Sequence, residues 1–469
     1  MPKRIAAVVL ALAISACEKP PPPPPPEKTS KLVVSTRQGP GTYFISHDGE
    51  AAGFEHDLVS AFAKEQGWAV RWDVRDNLET VLASIETESA HFAAAALPES
   101  AVHARLLRAG PVLFETPILV IYRTSNRRPA TLASLTNKKV AILNNAGLSL
   151  TMLRLKRKYP GLSWQPVDAV WTEELLARLD NGEYDAVIVN AMNFELSRSA
   201  FPNLAIAFPL DYKQKIVWAL PLNASPELLR KMQRFIADAH KNDTIKRIYE
   251  RYYGHVNRLG NQDVLGILDR RIKILPRLRR HFQEAQTLTG IDWRLLAAIG
   301  YQESKWDPNA TSPTGVRGLM MLTGDTADRM GVQNRLDARQ SILGGARYLV
   351  LMKNALPDRI NEPDRTWIAL AAYNQGQGHM EDARRIAQAR GDHPDHWVDV
   401  KAALPFLGRG GYEEVMRYGY ARGGEALIFT ENVRAYYDIL RRTERPYRPL
   451  MSLAQGDDTP DVGASSDSD

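Results

Sequence analysis

The spacing of apolar residues changes near position 257, and this change constrains the fold more than any other feature. Up to about Gly254, short apolar runs typical of strands alternate with segments in which apolar residues recur every three or four positions. Beyond that point the strand-like runs nearly vanish and long helical patterns dominate. The central part of the chain, about 420 residues, is long enough for two domains of different architecture.

The first half alternates predicted strands with predicted helices. Strand-like runs lie at 32–34, 92–97, 118–122, 140–143 and 186–189, and helical patterns lie at 56–66, 148–159 and 172–179. Such alternation is typical of an α/β architecture with mostly parallel sheets. We therefore expect an α/β domain over residues 31–256.

The second half, residues 257–450, is predicted to be a mainly helical domain. Helical patterns cover 263–286, 293–302, 341–355, 366–373 and 431–442. The boundary between the domains is placed at residues 254–260, where glycine and asparagine interrupt the periodic pattern.

The first 17 residues are predicted to be a secretory signal. Lys3 and Arg4 precede an apolar run, Ile5 to Ile14, that is too short to span a bilayer. Cys17 is the only cysteine in 469 residues, and the run that it ends resembles a bacterial lipobox, which implies lipidation of this cysteine. An ordinary cleaved signal is the alternative. Glu18 after the cysteine implies, by resemblance to lipoprotein sorting, a lipid anchor on the periplasmic face of the outer membrane.

Two further segments lie outside the predicted domains. Residues 18–30 contain seven consecutive prolines, which form an extended and semi-rigid spacer. Next to a lipid anchor, a stalk is favoured over a proline-rich recognition motif. Residues 451–469 are acidic and poor in large apolar side chains, which predicts a disordered tail.

Composition disfavours several classes of function. The net charge of +6 is spread along the chain, without the basic stripe and interleaved aromatics of a nucleic-acid-binding protein. A mild positive charge fits an anionic polymer such as the cell wall. His393 and His396 are closely spaced, but no companion histidine or cysteine cluster accompanies them, so a polar loop is favoured over a metal site. No cofactor is predicted.

Glu303 is the candidate catalytic residue. Asp292 is a suitable helix N-cap, and Leu295 and Ile299 lie on an apolar face that Glu303 continues at helical spacing. Burial and a nearby helix C-terminus both raise the pKa of a carboxyl group, which then donates a proton near neutral pH. On this stretch alone, a glutamate that ends a helix in water is the simpler interpretation.

Two later segments favour the catalytic interpretation. Gly-Leu-Met-Met-Leu-Thr occupies residues 318–323, and Ala-Ala-Tyr-Asn occupies residues 371–374. Together with Glu-Ser at 303–304, and in this order, they closely resemble the soluble lytic transglycosylase domain, whose fold is similar to goose-type lysozyme. The resemblance covers roughly residues 288–440. It departs from the family at Met321, where glutamine is frequent.

The resemblance implies a reaction that breaks peptidoglycan glycan strands. Glu303 would protonate the glycosidic oxygen between MurNAc and GlcNAc and then accept the proton of the muramyl 6-hydroxyl, which attacks the anomeric carbon and leaves a 1,6-anhydro end. Most glycosidases need two carboxylates, but an internal nucleophile needs one. We interpret Asp307 and Asp325, the nearest alternatives, as structural.

The same resemblance implies roles for other residues. Ser304 would orient Glu303 or the sugar N-acetyl group, and Tyr373 would form a hydrogen bond near the carboxylate. The remaining implied roles are support of the loop by Asn374 and a cleft lining made by Met320 and Met321.

The segment from Tyr418 to Tyr436 extends the likeness. It is similar to the membrane-bound lytic murein transglycosylase F family, which joins such a domain to an N-terminal solute-binding-like module. Tyr436 would then approach the active site. Two other functions stay open, namely a lysozyme-like muramidase that uses water and a non-catalytic glycan or muropeptide sensor.

The first domain resembles family 3 periplasmic solute-binding proteins at residues 53–58 and 182–190. That resemblance implies two α/β lobes that close around a ligand. The candidate ligand-binding residues are Asp57, Arg105 and Asn190. Amino-acid binders usually have aspartate where this chain has Asn190, which argues against a free amino acid. We expect a regulatory domain that binds muropeptides or stem peptides.

Overall fold

A computed structural model of the chain describes residues 21–39, 41–45, 50–144, 147–168, 172–256, 258–409 and 411–448. Cys17 and the segments interpreted as the signal and the acidic tail lie outside the described residues. Within them, an α/β half is followed by a helical half.

The α/β half contains one large sheet and a small two-stranded ladder. The strands in chain order are β1 (Lys31–Arg37), β2 (Phe44–Ile45), β3 (Ala51–Ala52), β4 (Ala69–Arg75), β5 (Phe92–Pro98), β6 (Arg108–Arg123), β7 (Val140–Leu143), β8 (Gln165–Val167), β9 (Ala186–Asn190) and β10 (Leu204–Leu220). In the described residues the large sheet has the order β4-β1-β5-β10-β6-β9-β7-β8, and β2 pairs with β3.

The large sheet is mixed in direction. β1 runs parallel to β4 and β5, and β7 runs parallel to β8 and β9. β10 is antiparallel to β5 and β6, and β6 is antiparallel to β9. The prediction of mostly parallel sheets is therefore wrong at the centre of the sheet. The pattern of apolar residues locates strands, but it does not show in which direction a strand returns.

The two longest strands connect two lobes. β6 has 16 residues and β10 has 17. One part of this pair lies beside β5 in the first lobe, and another part lies beside β9 in the second lobe. Between these parts the register shifts, for example between Pro209 and Lys213. Such irregular pairing lets a strand pair bend where the lobes meet.

Helices cover the faces of both lobes. They are α1 (Pro26–Thr29), α2 (Phe54–Gln66), α3 (Leu78–Glu86), α4 (Glu99–Ala104), α5 (Ser149–Lys158), α6 (Thr172–Asp180), α7 (Ala191–Ser197), α8 (Pro226–Lys241) and α9 (Thr244–Tyr253). Each lobe buries apolar side chains on both faces of its part of the sheet. A sheet covered on both faces is typical of α/β proteins.

Among its described residues, the second half contains helices and no strand longer than an isolated β-bridge. The helices are α10 (Asn261–Lys273), α11 (Leu275–Thr289), α12 (Trp293–Ser304), α13 (Gly324–Arg329), α14 (Ala338–Asn354), α15 (Asp364–Gln375), α16 (Gln377–Ala389), α17 (Trp397–Ala403) and α18 (Gly423–Thr443). The helix predicted at 263–286 is two helices, because Pro276 lacks the backbone N–H that a continuous helix needs. Within the described ranges, no helix has the length and apolar character to cross a membrane.

α12 lies at the centre of the helical half and packs against α11 and α18. Asp292 caps it by accepting a hydrogen bond from the Arg294 backbone N–H at 2.8 Å. Every side chain from Trp293 to Tyr301 is buried. A helix that is enclosed on all sides holds the residues of its last turn in fixed positions.

Candidate active site

Glu303 lies in the last turn of α12 and is half-buried. Among the residues that the structure describes, none donates a hydrogen bond to its carboxyl group. Burial disfavours the charged form and raises the pKa of Glu303 to about 8. A carboxyl group with this pKa is largely protonated at neutral pH and is able to donate a proton.

Two consecutive residues in left-handed backbone conformation end α12. Lys305 has a φ of 54° and Trp306 a φ of 63°. This conformation is unfavourable for residues other than glycine and persists where packing enforces it. Trp306 supplies that packing, because its ring is buried and its indole N–H donates to the Ala297 carbonyl oxygen at 2.7 Å. The chain therefore turns sharply just after Glu303.

Ser304 links the end of α12 to the Gly-Leu-Met-Met-Leu-Thr segment by a hydrogen bond. Its hydroxyl donates to the Leu319 carbonyl oxygen at 2.8 Å and accepts a hydrogen bond from the Asp307 backbone N–H at 3.1 Å. This arrangement fixes the segment beside Glu303. The implied roles of Ser304 toward Glu303 or the sugar stay predictions.

The two methionines of this segment have different environments. Met320 has no exposed surface and fills the space above Gly345, where an added Cβ would come within 2.7 Å of its side chain. The prediction that Met320 lines a cleft is therefore wrong, because its side chain belongs to the core. Met321 is partly exposed and remains the candidate for sugar contact.

Tyr373, which lies on α15, is close to Glu303. Its hydroxyl donates to the Met320 carbonyl oxygen at 3.1 Å, and its ring stacks on Phe429 of α18 with 6.2 Å between ring centroids. Burial and, to a smaller extent, the Glu303 carboxylate raise the pKa of Tyr373, so this phenol stays neutral. Asn374, the next residue, is exposed near the end of the helix.

Tyr436 lies on a different side of α12. Its ring packs on Tyr301 at 4.8 Å, and Lys305 Nζ lies 3.4 Å from its hydroxyl. Tyr301 and Glu303 are two positions apart, which places them roughly 200° apart around a helix. The packing of Tyr436 against Tyr301 therefore places it away from the face of α12 that carries Glu303.

The two other acidic residues considered have local structural roles. Asp307 accepts a hydrogen bond from the Asn309 backbone N–H at 2.9 Å within the turn after α12. Asp325 lies in the first turn of α13, where an acidic side chain favours the helix dipole. Both side chains are exposed, and burial is the cause that raises the pKa of Glu303.

A cleft between the lobes of the α/β half forms two adjoining cavities of about 400 and 240 Å³. Both are lined by Arg37, Ala96, Thr172 and Asn193. Asn190 lines the smaller cavity, where its side chain also caps α7 by accepting a hydrogen bond from the Asn193 backbone N–H at 2.9 Å.

The other two candidate ligand residues do not line this cleft. Arg105 pairs with Glu79, which lines the smaller cavity, at 2.6 Å and with Glu86 at 2.5 Å. Asp57 accepts hydrogen bonds from Arg251 and from the Tyr252 hydroxyl, both at 2.8 Å. Neither lines the two cavities, so a direct ligand contact by Arg105 or Asp57 is not supported by these positions.

Two charged residues that line the cleft were not predicted from the sequence. Arg37 is the last residue of β1, and Glu173 lies in the first turn of α6 on the other lobe. Burial lowers the pKa of Arg37, and the nearby Glu173 opposes that shift. The position of Arg37 at the carboxyl end of a strand is a signal that could have identified it, because α/β proteins bind ligands at that edge.

In the described residues, no group of three or more histidine, cysteine or acidic side chains is arranged to hold a metal ion. His393 and His396 stack on one another with 3.9 Å between ring centroids. His396 also lies 3.7 Å from Asp399.

Comparison with known proteins matches both halves of the chain. Residues 32–255 match the family described as bacterial extracellular solute-binding proteins, family 3, and residues 280–395 match the Transglycosylase SLT domain. A solved structure of an ancestral arginine-binding protein bound to arginine is 20% identical and covers 48% of this chain and 98% of its own, with a TM-score of 0.41. By the two family matches, the first half is a periplasmic-binding-protein-like α/β domain and the second is a helical SLT domain.

Curated relatives extend over nearly the whole chain. A membrane-bound lytic murein transglycosylase F of Thiobacillus denitrificans is 59% identical over 97% of this chain and 96% of its own length. Its counterpart in Nitrosospira multiformis is 45% identical over 92% of this chain and 90% of its own. The chain therefore belongs to the membrane-bound lytic murein transglycosylase F family.

Proposed function

We propose that Glu303 is the single acid and base with which this chain cleaves glycan strands. The chain is a peptidoglycan lytic transglycosylase of the cell envelope, a lyase acting on polysaccharide, as its family and its SLT domain establish. The observation that carries the proposal for Glu303 is its partly buried carboxyl group, whose pKa is raised to about 8 without a hydrogen-bond donor among the described residues.

The proposed reaction uses one carboxyl group twice. The protonated Glu303 donates its proton to the glycosidic oxygen as the bond from that oxygen to C1 of MurNAc breaks. The 6-hydroxyl oxygen of the same MurNAc bonds to C1, and its proton passes to the Glu303 carboxylate. Glu303 is thereby restored, and no water is consumed. The raised pKa suits the first step, because the acid form must predominate before catalysis.

The neighbours of Glu303 support this role by position. Ser304 and Tyr373 both bind backbone carbonyl oxygens of the segment 318–323, from the end of α12 and from α15. The segment is therefore held at two adjacent carbonyl groups, one by α12 and one by α15. Catalytic geometry depends on such fixed surroundings, since small displacements reduce the rate strongly.

The test is mass spectrometry of peptidoglycan digested by the purified chain. We expect anhydromuropeptides from the wild type and none from Glu303→Gln. Asp307→Asn and Asp325→Asn are matched controls, because each removes an exposed carboxylate near the site and is expected to keep activity. Products one water heavier would indicate a lysozyme-like muramidase. Anhydro products from Glu303→Gln would contradict the proposed role of Glu303.

We further propose that the cleft of the α/β domain binds muropeptides or stem peptides and adjusts the catalytic domain. The opposite charges of Arg37 and Glu173 within one cleft suit a peptide that carries both a carboxylate and an amino group. Its cavities of about 400 and 240 Å³ adjoin and have room for more than one residue of such a peptide.

Direct contacts link the two domains. Arg434 of α18 is buried and donates to the carbonyl oxygens of Glu250 and Arg251 in α9, at 3.1 and 3.0 Å. Asn432 of α18 donates to the Gln302 side chain at 3.3 Å, one residue before Glu303. A change in the position of α9 would therefore be transmitted to α18 and α12.

Titration of the full chain with purified muropeptides tests this regulation. We expect binding and a changed cleavage rate in the wild type and loss of both effects in Arg37→Met. Arg71→Met serves as the control, because it removes an exposed arginine of the same lobe that lines neither cavity. Absence of binding and of any rate change in the wild type would reject the regulatory role.

We also propose that Cys17 carries a lipid that anchors the chain to the outer membrane. The proposal is supported by the lipobox-like run and by the single cysteine in the sequence. Cys17→Ser should move the protein from the membrane fraction to the soluble fraction of the envelope. An unchanged distribution in cell fractionation would contradict lipid anchoring.

A further inference from the structure

Two tyrosines on one loop are the most exposed aromatic residues in the part of the chain that the structure describes. Tyr420 is 73% exposed and Tyr418 is 60% exposed, on the loop of residues 411–422 that precedes α18. Exposed apolar surface that is grouped in one place is typical of a binding site. We name residues 417–420 the tyrosine loop.

A buried carboxylate fixes the tyrosine loop. Asp382 of α16 has no exposed surface and accepts hydrogen bonds from the backbone N–H groups of Arg417, at 2.8 Å, and Tyr418, at 2.7 Å. Arg385 pairs with the same carboxylate at 2.7 Å. Hydrogen bonds to a charged group are strong. The backbone that carries Tyr418 is therefore held in place before any ligand binds.

The ring of Tyr418 is packed on one side and open on the other. A Cβ added at Gly378 would lie 2.6 to 2.8 Å from three carbons of this ring, so the ring rests directly on the Gly378 backbone. His379 contacts the same ring, with 6.4 Å between ring centroids. The exposed remainder of Tyr418 is available to a ligand.

The residues that pack against Tyr418 are connected along the chain to the candidate active site. Gly378 lies at the start of α16, four positions after the end of the Ala-Ala-Tyr-Asn motif that contains Tyr373. The loop then leads into α18, whose Phe429 stacks on Tyr373. The loop thus leads into a helix that contacts the tyrosine beside Glu303, and Tyr418 rests on the helix that follows the motif of this tyrosine.

We propose that Tyr418 and Tyr420 form a glycan-binding subsite on which pyranose rings of the strand stack beyond the cleaved bond. A pyranose ring presents C–H groups on its faces, which pack on an aromatic ring while its hydroxyl groups stay in water. The exposed Arg417 adds a positive charge for the carboxylates of stem peptides. The proposal rests on the lytic transglycosylase activity and is independent of the role proposed for Glu303.

The test compares the full chain with a Tyr418→Ala/Tyr420→Ala double variant. Binding is measured by sedimentation with intact peptidoglycan sacculi, and turnover by release of anhydromuropeptides at increasing substrate concentration. We expect Kd and KM to rise roughly ten-fold with kcat within about two-fold, because the loss of two ring contacts weakens binding of the strand. Tyr418→Phe and Tyr420→Phe, which keep the rings, should stay close to the wild type.

Tyr212→Ala is the matched control, since Tyr212 is an exposed tyrosine of the other domain. Kd and KM values of the double variant within two-fold of this control would overturn the subsite. A fall in kcat with unchanged KM would also overturn it, because the rings would then act at the reacting bond. Absence of products from the wild type would count against the activity, and sedimentation would still decide whether the rings bind glycan.

Discussion

Two glutamates, one in each half of the chain, are both desolvated but differ in their surroundings. Glu55 of α2 has no exposed surface, and its oxygens accept hydrogen bonds from the Ala96 backbone N–H at 2.9 Å and the Trp218 indole N–H at 2.8 Å. Glu303 of α12 has no such donor among the described residues. Burial raises the pKa of Glu55 to about 7 and that of Glu303 to about 8.

The difference lies in what the oxygens are free to do. Both oxygens of Glu55 are occupied by donors from β5 and β10, so this residue connects three elements of the first lobe. The oxygens of Glu303 are available to a substrate. A raised pKa alone therefore does not identify a catalytic carboxyl group, and the hydrogen-bond partners separate the two cases. Mutations should accordingly affect stability at Glu55 and activity at Glu303.

The largest expected effect is the loss of activity in Glu303→Gln. Removal of a general acid is expected to reduce kcat by roughly 10²–10⁴-fold. The free energy of unfolding should stay constant or rise, because a neutral amide avoids the desolvation that raises the pKa of the glutamate. Rates of anhydromuropeptide release and urea unfolding of the same preparation measure both quantities. A loss of stability in step with activity would contradict a catalytic role.

Glu55→Ala should show the opposite response. The substitution leaves the buried N–H groups of Ala96 and Trp218 without an acceptor and opens a small cavity. We expect the free energy of unfolding to fall by about 2–4 kcal/mol. The kcat of the folded protein should stay within a few-fold of the wild type in the absence of muropeptide. An unchanged midpoint in urea would show that these hydrogen bonds contribute little.

The two carboxyl groups should also respond to pH in different windows. Because the folded state raises the pKa of Glu55 from 4.5 to about 7, the contribution of this residue to stability is complete below pH 4.5 and falls by roughly 3 kcal/mol as pH rises to 7. The raised pKa of Glu303 lowers stability in the same direction up to about pH 8, and activity should fall where Glu303 loses the proton that we propose it donates. Unfolding of the wild type, Glu55→Gln and Glu303→Gln, and kcat/KM of the wild type, measured from pH 4 to 9, test these assignments. An equal pH dependence of unfolding in the wild type and Glu55→Gln would contradict the assignment to Glu55.

The parts of this molecule that could be predicted from the sequence depend on neighbours along the chain. β7 was predicted at 140–143, where the structure has it, and Glu303 was placed correctly in the last turn of its helix. Both follow from the local spacing of apolar residues and from the capping residue Asp292. The order of the three sequence motifs predicted the SLT domain, which the comparison confirms.

The parts that could not be predicted depend on residues far apart in the sequence. Trp218 donates to Glu55 across 163 positions, and only the folded sheet brings them together. Met320 was expected at a cleft because the family resemblance implies that place, but Gly345 leaves a space that its side chain fills. Arg105 is a candidate ligand residue from the resemblance, and in the structure it pairs with Glu79 and Glu86. Each of these features concerns a partner that the local pattern does not show.

The smallest expected effect concerns the hydroxyl group that supports the active site. Tyr373→Phe keeps the ring stacked on Phe429 but leaves the buried Met320 carbonyl oxygen without its donor. We expect a loss of about 1 kcal/mol in the free energy of unfolding and of about ten-fold or less in kcat, because the segment beside Glu303 becomes less fixed. Tyr348→Phe is the control, since Tyr348 packs on the same ring at 5.2 Å and forms no described hydrogen bond to Met320. If Tyr373→Phe matched this control, shape alone would position the segment, and if it matched Glu303→Gln, the phenol would take part in proton transfer.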